Sequence, residues 1–312
     1  MKRRGFLALA GAISALPARA QAMPRIGFLV AGDPEPAWTL FRKSMTDLGY
    51  VEGRSVSYEY RIGPSDSAKL EPLVQSMIDR KVDVIVAVLT PAITAAQART
   101  STIPIVFFGG SIETSKVDNI ARPQANATGV VSSSSTLAGK ALQIFHQAKP
   151  QTKSVALLLN EADPFHLPLQ RDVEAAAKAE KIESVLFLLK SPVELTQAFD
   201  AMAQRGVDGV LVQPSLGLDR AAELALSHRL PAFSFQRKFA ADGGLMTYGA
   251  DQADLFRSMA TYVDRILKGA RPADLPVVMA SRFELVINQK TARALGFVFS
   301  PMLLATVDEV IE

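Results

Sequence analysis

The sequence predicts an α/β protein built from two doubly wound parallel-sheet lobes. Its 312 residues are enough for two domains of the usual size of roughly 100–200 residues each. From Pro24 onward, short β-branched runs alternate with amphipathic stretches, a pattern typical of parallel strands covered by helices on both faces. About a dozen strands are predicted in this way, more than one sheet holds comfortably. Two sheets, and therefore two lobes, explain the count better than one.

The first half of the chain contains buried strands separated by helices. Trp38, Phe41, Met45 and Leu48 fall at helical spacing, and Gly49 ends that helix. Continuous apolar runs predict strands at residues 25–30, 82–89 and 104–108, and an alternating run predicts one at 56–60. Helices are predicted at residues 38–48, 67–80 and 91–99.

The second half repeats this alternation. Strands are predicted at residues 155–159, 185–189, 207–212 and 231–235, and helices at 137–148, 164–181, 192–205 and 218–229. Two similar strand–loop–helix–strand units, one in each half of the chain, support a shared architecture for the two lobes. The first strand begins at Val82 in one unit and at Val207 in the other, and the proline of the second strand follows 22 residues later at Pro104 and 24 residues later at Pro231. The last third adds strands at 244–248 and 283–287 and helices at 251–268 and 288–295, too few for a separate core. We expect them to complete the two sheets, which requires the chain to cross between the lobes more than once.

The first 22 residues are predicted to be a cleavable export signal. Lys2, Arg3 and Arg4 precede a short apolar run, and two A-x-A cleavage sites follow at residues 18–20 and 20–22. The apolar run of about fourteen residues spans only ~21 Å as a helix, short of a ~30 Å hydrocarbon core. Arg3 and Arg4, followed by Gly5, Phe6 and Leu7, resemble a twin-arginine export signature. An uncleaved N-terminal anchor is the alternative.

Composition and motifs exclude several classes of function. The chain has no cysteine, which excludes disulfides and thiolate metal sites, and its three histidines are far apart. The whole chain has 34 lysines and arginines and 31 aspartates and glutamates. Residues 1–22 contain four of the basic residues and no acidic one, so the rest of the chain has 30 basic and 31 acidic residues and a net charge of −1. This balance gives no electrostatic argument for nucleic acid as a partner. No G-x-G-x-x-G, phosphate-loop or G-x-S-x-G motif occurs, so no catalytic residue, cofactor or metal is predicted.

Candidate ligand-binding residues lie in the loops that follow the predicted strands, where doubly wound sheets bind ligands. Thr90 places a hydroxyl at a helix start that suits a carboxylate, and Asp163 could accept an ammonium group. Ordinary helix capping is the alternative for both residues, and a place in the core is the alternative for Trp38. The full candidate set is Asp33, Trp38, Thr90, Pro91, Ala92, Gly109, Gly110, Ser111, Asn160, Asp163, Phe165, Gln213, Pro214, Ser215, Phe235, Gln236, Tyr248 and Asp251.

Short blocks along the chain resemble one known family. They are Arg25-Ile26-Gly27-Phe28-Leu29, Leu48-Gly49-Tyr50-Val51-Glu52-Gly53-Arg54, Lys81-Val82-Asp83-Val84-Ile85-Val86-Ala87, Thr102-Ile103-Pro104-Ile105-Val106-Phe107, Gly243-Gly244-Leu245-Met246-Thr247-Tyr248-Gly249, residues 266–277, Phe283-Glu284-Leu285-Val286-Ile287-Asn288 and Asp308-Glu309-Val310-Ile311-Glu312. With them, essentially everything after residue 23 resembles the ABC transporter substrate-binding proteins of the tryptophan/tyrosine-binding type. One departure lies at Gly110-Ser111-Ile112-Glu113, where the family usually has Gly-Asp-Pro-Val.

The resemblance implies the type I periplasmic-binding fold, with a three-crossover hinge and a ligand in the cleft. We expect lobe 1 at residues 23–128 and 250–281 and lobe 2 at 129–249 and 282–312. The implied function is a monomeric periplasmic receptor that binds a small carboxylate-bearing solute, possibly an amino acid. Its implied partners are an ABC permease and the cytoplasmic ATPase. The alternatives are a ligand-sensing partner of a membrane signalling protein and, less favoured, a periplasmic enzyme that uses the same cleft.

Overall fold

The computed structural model describes residues 23–123 and 125–312, so the predicted export signal lies outside the described residues. The strands are β1 Arg25–Ala31, β2 Ser57–Gly63, β3 Val84–Val88, β4 Ile105–Gly109, β5 Ala127–Val131, β6 Ser154–Asn160, β7 Glu183–Leu189, β8 Gly209–Val212, β9 Ala232–Ser234, β10 Met246–Ala250, β11 Val278–Met279, β12 Phe283–Asn288 and β13 Glu309–Ile311. The helices are α1 Ala37–Asp47, α2 Ser67–Asp79, α3 Thr90–Arg99, α4 Ser134–Ala148, α5 His166–Ala179, α6 Leu195–Arg205, α7 Leu218–Ser227, α8 Arg237–Ala241, α9 Gln252–Leu267, α10 Gln289–Leu295 and α11 Pro301–Leu304.

The strands form two sheets, as the sequence predicts. The first sheet has six strands in the order β11-β5-β4-β3-β1-β2, and the second has seven in the order β13-β12-β10-β9-β8-β6-β7. The described pairings are parallel except for the antiparallel pair of β10 with β12. Each sheet therefore directs the carboxyl ends of its central strands to one edge, where doubly wound folds bind ligands.

Both faces of each sheet are buried, which explains why the strands are continuous apolar runs. In β3, Val84, Val86 and Val88 belong to one core cluster, and Ile85 and Ala87 belong to the cluster on the opposite face. The same alternation occurs in β6 of the second sheet. Because successive side chains of a strand point to opposite faces, a strand covered by helices on both sides needs apolar residues at every position.

The chain passes between the sheets at three places. It leaves the first sheet between β5 and α4, returns between β10 and α9, and leaves again between β11 and β12. The first passage differs from the predicted boundary at residue 128, because β5 pairs with β4 through Val131 and so belongs to the first sheet. Ser132 and Ser133 therefore form the first crossover.

Several short elements were not predicted from the sequence, and β5 shows why. Its Gly129 interrupts an otherwise β-branched run, and glycine weakens a strand prediction. In the structure a Cβ at Gly129 would lie 2.1 Å from the carbonyl oxygen of Phe107, so the close approach of β4 requires glycine there. No helix among the described residues is both long and apolar enough to cross a membrane.

Candidate functional site

A cavity lies between the two lobes at the carboxyl ends of six central strands. The loops after β3, β4 and β5 border it from lobe 1, and those after β6, β8 and β9 border it from lobe 2. Its lining residues are Leu89, Thr90, Phe108, Gly110, Ser132, Ser134, Asp163, Phe165, Gln213, Pro214, Ser215, Phe235 and Gln236. The volume of the cavity that is open to a water-sized molecule is only about 20 Å³. The two lobes are therefore close together around this cavity.

A buried polar network forms the lobe 2 side of the cavity. Asp163 accepts hydrogen bonds from the backbone N–H of Phe165 (3.0 Å) and from Nε2 of Gln213 (2.9 Å). Gln213 is itself oriented, because its Oε1 accepts the N–H of Asn160 at 2.9 Å. The amide of Asn160 lies 3.4 Å from the hydroxyl of Ser215. These bonds fix the position of the carboxylate before any ligand arrives.

Asp163 is the one ionisable side chain among the thirteen lining residues, and it is only 3 % exposed. Within the described residues it has no lysine or arginine within ion-pair distance. Burial raises the pKa of this carboxyl, and its hydrogen bonds with Phe165, Ser215 and Gln213 and the nearby His166 oppose that shift. A buried carboxylate with hydrogen-bond donors but no cation is suited to receive a positively charged group from a ligand.

The lobe 1 side presents a helix start. Leu89 has φ 72° and ψ 155°, a conformation that is essentially restricted to glycine and that costs a leucine about 1–3 kcal/mol. It leads into α3, whose first residue is Thr90 and whose start no side chain caps. The sequence predicts this helix from residue 91, one residue later than the structure shows. The hydroxyl of Thr90 lies 3.3 Å from that of Thr114.

The first crossover also borders the cavity. Ser132 and Ser134 have hydroxyls 2.5 Å apart, and Ser133 between them has φ 56°. The hydroxyl of Ser132 donates to the carbonyl oxygen of Gly109, and the N–H of Ser134 donates to that of Gly110 at 2.8 Å. The cavity is therefore lined in part by the segment that connects the two sheets.

Aromatic side chains supply the apolar wall in lobe 2. The rings of Phe165 and Phe235 meet edge to face with centroids 6.0 Å apart, and both side chains are nearly buried. Such a wall suits an apolar side chain or an aromatic ring of a ligand.

Ion pairs also connect the lobes outside the cavity. Nζ of Lys238 in α8 lies 3.1 Å from Asp33 of lobe 1 and also contacts Asp242 of its own lobe. Arg171 in α5 pairs with Glu113 of lobe 1 at 3.0 Å, and both of these side chains are exposed. Both contacts join residues from different lobes, so separation of the lobes breaks them.

Half of the predicted site residues line the cavity and the others do not. The lining residues that were predicted are Thr90, Gly110, Asp163, Phe165, Gln213, Pro214, Ser215, Phe235 and Gln236. The predicted residues that lie elsewhere are Asp33, Trp38, Pro91, Ala92, Gly109, Ser111, Asn160, Tyr248 and Asp251. Leu89, Phe108, Ser132 and Ser134 line the cavity but were not predicted. The two serines follow β5, which the sequence did not predict, so their position at a strand end was not recognised.

Each predicted residue that lies away from the cavity has another role in the structure. Trp38 stacks on Tyr60 with centroids 4.6 Å apart, which agrees with a core position. Asp251 caps α9 by accepting the N–H of Asp254, and Tyr248 packs beside Phe283.

Among the remaining predicted residues away from the cavity, Asp33 forms the ion pair with Lys238 of lobe 2, and Asp33 and Asn160 border a neighbouring depression between the lobes. Pro91 and Ala92 are buried in the first turn of α3. Ser111 accepts the N–H of Glu113, and Asn160 holds Gln213 without reaching the cavity.

Comparison with known proteins gives consistent matches over most of the chain. The family model described as ABC transporter substrate binding protein matches residues 37–311. A tyrosine-binding protein of Clostridioides difficile is 24% identical over 263 residues, which cover 82% of this chain and 75% of that protein.

Two solved structures share the fold, each at 22% identity over 92% of this chain and 99% of the other. One is a conserved domain protein of Vibrio cholerae, with a TM-score of 0.85. The other is an ABC domain from Streptococcus pneumoniae in complex with L-Trp, with a TM-score of 0.84.

Proposed function

We propose, from the premise that this chain belongs to the family of ABC transporter substrate-binding proteins, that it is the receptor of an importer for an amino acid or a related solute. The solute would carry an ammonium and a carboxylate and would bind in the inter-lobe cavity. The tyrosine-binding relative and the L-Trp complex support an amino acid as the class of ligand. The single observation that carries the proposal is the buried Asp163 carboxylate, which has hydrogen-bond donors but no cation.

The two charged ends of an amino acid match the two sides of the cavity. The ammonium would pair with Asp163 in lobe 2, where the surrounding network already satisfies the other lone pairs of the carboxylate. The carboxylate would bind at the uncapped start of α3, which offers backbone N–H groups, the Thr90 hydroxyl and the positive end of the helix dipole. The side chain would pack on Phe165 and Phe235. Such a solute touches both lobes at once.

This arrangement couples binding to closure of the lobes. A ligand favours the closed form only through contacts that exist when both lobes touch it. The small closed cavity requires the lobes to separate for entry, and the three crossovers are the segments about which they would rotate. An affinity near 1 μM corresponds to about −8 kcal/mol, which an ion pair, a helix start and an aromatic wall together can supply.

The proposal extends to the location and the partners. The basic and apolar character of residues 1–22 supports export to the periplasm, and the family supports a permease and a cytoplasmic ATPase as partners. The matched family consists of substrate-binding proteins, which supports binding without chemical change. Cell fractionation and N-terminal sequencing of the mature protein test the location directly.

A thermal-shift screen followed by calorimetry tests the ligand class. A solute at about 100 times its dissociation constant stabilises the native state by about 2.7 kcal/mol, which raises the melting temperature by about 5 °C or more. Each amino acid that binds is then compared with its N-acetyl derivative and with the amine that lacks the carboxylate. We expect both derivatives to bind much more weakly.

Two outcomes would contradict this ligand class. If the N-acetyl derivative binds as well as the amino acid, the ammonium does not pair with Asp163. If sugars or nucleosides stabilise the protein and no amino acid does, the solute belongs to another class.

A further inference from the structure

Two adjacent glycines at the end of β4 face different lobes. A Cβ built on Gly109 would lie 2.8 Å from Oγ of Ser115 and 3.4 Å from Ile93, both in lobe 1. A Cβ built on Gly110 would lie 2.7 Å from the ring of Phe165, which belongs to lobe 2. Neither glycine has a φ in the left-handed region, so the backbone at both positions accepts an alanine. The two positions therefore differ in the lobe that an added methyl group would contact, which is lobe 1 for Gly109 and lobe 2 for Gly110.

The Phe165 ring cannot easily move away from Gly110. Its side chain is 5 % exposed and packs against Phe235 within the lobe 2 core. Its backbone N–H is bonded to the Asp163 carboxylate, so a shift of Phe165 would disturb the polar network as well. Because protein interiors are close-packed, an added methyl group at Gly110 is relieved at lower cost by separating the lobes than by repacking this core.

We propose that Gly110 is a positioning residue that sets how closely the lobes approach, and therefore the affinity for the solute. The inference rests on the proposed function, since it concerns closure of the same cavity. The carbonyl oxygen of Gly110 accepts the N–H of Ser134 just after the first crossover, so the contact with Phe165 lies close to the segment about which the lobes move. A small displacement beside a hinge becomes a larger one at the far end of the cleft. One methyl group at Gly110 therefore keeps the whole cleft from closing fully.

Spin labels that report the distance between the lobes test this inference without a known solute. The chain has no cysteine, so Lys69→Cys and Lys190→Cys place labels at those two positions alone. Both residues are exposed and border a depression between the lobes, Lys69 from lobe 1 and Lys190 from lobe 2. Pulsed electron paramagnetic resonance then gives the distribution of distances in solution.

The two alanine variants are expected to behave differently. In the otherwise unchanged labelled protein we expect a population at the short distance of the closed structure. Gly110→Ala should remove this population and leave the melting temperature nearly unchanged, while Gly109→Ala should retain it and lower the melting temperature. Where a solute has been identified, Gly110→Ala should raise its dissociation constant roughly tenfold, because the competent closed state is less populated. Replacing Phe165 by leucine in the Gly110→Ala background should restore part of the short-distance population.

The possible results separate the inference from the proposed function. A short-distance population that persists in Gly110→Ala, or that is absent from the parent protein with and without solutes, overturns the role of Gly110. Equal effects of the two glycine variants on the distances overturn it as well, because the contact with Phe165 would then not be the cause. If Gly110→Ala removes the short-distance population but no amino acid binds to the parent protein, the role of Gly110 is supported and the proposed ligand class is refuted.

Discussion

The two sides of the cavity are built from different chemistry. Lobe 2 contributes a buried, internally hydrogen-bonded set of polar side chains around Asp163, and it contributes the aromatic wall. Within the described residues, lobe 1 lines the cavity without an ionisable side chain and contributes a helix start, hydroxyls and a glycine. Both sides derive from loops after parallel strands. Similar architecture has therefore produced one side that is acidic and preorganised and one that has no ionisable side chain and fits closely.

This difference assigns separate tasks to the two lobes. A carboxylate held by fixed donors loses little freedom when a ligand arrives, so lobe 2 is suited to bind the solute first. Lobe 1 offers weaker individual contacts that form only when the lobes meet, so it is suited to complete the closed state. The comparison predicts that changes in lobe 2 mainly abolish binding and that changes in lobe 1 mainly weaken closure.

The largest effect is expected from Asp163→Asn. It removes the negative charge and leaves a single acceptor oxygen, so the NH2 group of the asparagine must face either the N–H of Phe165 or Nε2 of Gln213, both of which are donors. We expect the affinity for the amino acid to fall by about 3 kcal/mol, or more than a hundredfold, measured by calorimetry. Asp208→Asn is the matched control, because Asp208 is a lobe 2 carboxylate that accepts two backbone N–H groups away from the cavity. Equal losses in the two variants would show that binding does not depend on the charge at Asp163.

The pH dependence of binding follows from the same carboxyl. Burial raises the pKa of Asp163 above its ordinary value of 3.8. Binding of an ammonium requires the ionised form, so affinity should fall as the pH is lowered through the raised pKa. The sign for folding is opposite: between 3.8 and the raised pKa the native state holds more protons than the unfolded state, so the contribution of Asp163 to stability increases as the pH falls.

Calorimetry across pH checks the first trend, and denaturant unfolding of the ligand-free protein checks the second. Both trends should disappear in Asp163→Asn. They should persist in His166→Gln, which removes the nearby titratable ring. A pH dependence that vanishes with His166 instead would contradict the assignment to Asp163.

A smaller effect is expected on the lobe 1 side from Thr90→Val. The substitution keeps the shape of the side chain and removes a hydroxyl that lies at the start of α3. We expect the dissociation constant to rise about tenfold, corresponding to one lost hydrogen bond of about 1 kcal/mol or slightly more. Thr114→Val removes the hydroxyl that faces Thr90 but does not line the cavity, so it should change affinity much less. The opposite ranking would place the carboxylate of the solute away from α3.

The smallest effect is expected from the ion pair of Lys238 with Asp33 between the lobes. Asp33→Asn and Asp242→Asn each remove one carboxylate from Lys238, but only Asp33 belongs to the other lobe. Because Asp33 is 42 % exposed, we expect about a twofold loss of affinity in Asp33→Asn and a weaker dependence of affinity on salt. Titrations at low and high salt measure both quantities. If Asp242→Asn has the same effect, the charge on Lys238 matters but its contact across the cleft does not.

The sequence predicted the helices and strands whose apolar residues recur with a clear period. It predicted the site from the loops that follow the strands. β3 is apolar at every position and β6 is apolar from Val155 to Leu159, and the loops after them contain Thr90 and Asp163. Trp38 follows a strand as well, yet its ring stacks on Tyr60 because helical spacing directs it inward. Asp33 lies one strand away from the cavity and contacts Lys238 instead. A position after a strand therefore narrowed the candidates, but the order of the strands in the sheets decided which strand ends border the cavity.

The amino-acid sequence alone determined the two-lobed α/β class and the edge of each sheet where a ligand could bind. These properties depend on local periodicity and on the rule that carboxyl ends of parallel strands share an edge. Only the tertiary structure decided that Asp163 is buried without a cation and that Gly110 meets Phe165, which is 55 residues distant (165 − 110). Such facts depend on which side chains from distant parts of the chain occupy the same space, and local patterns do not encode that.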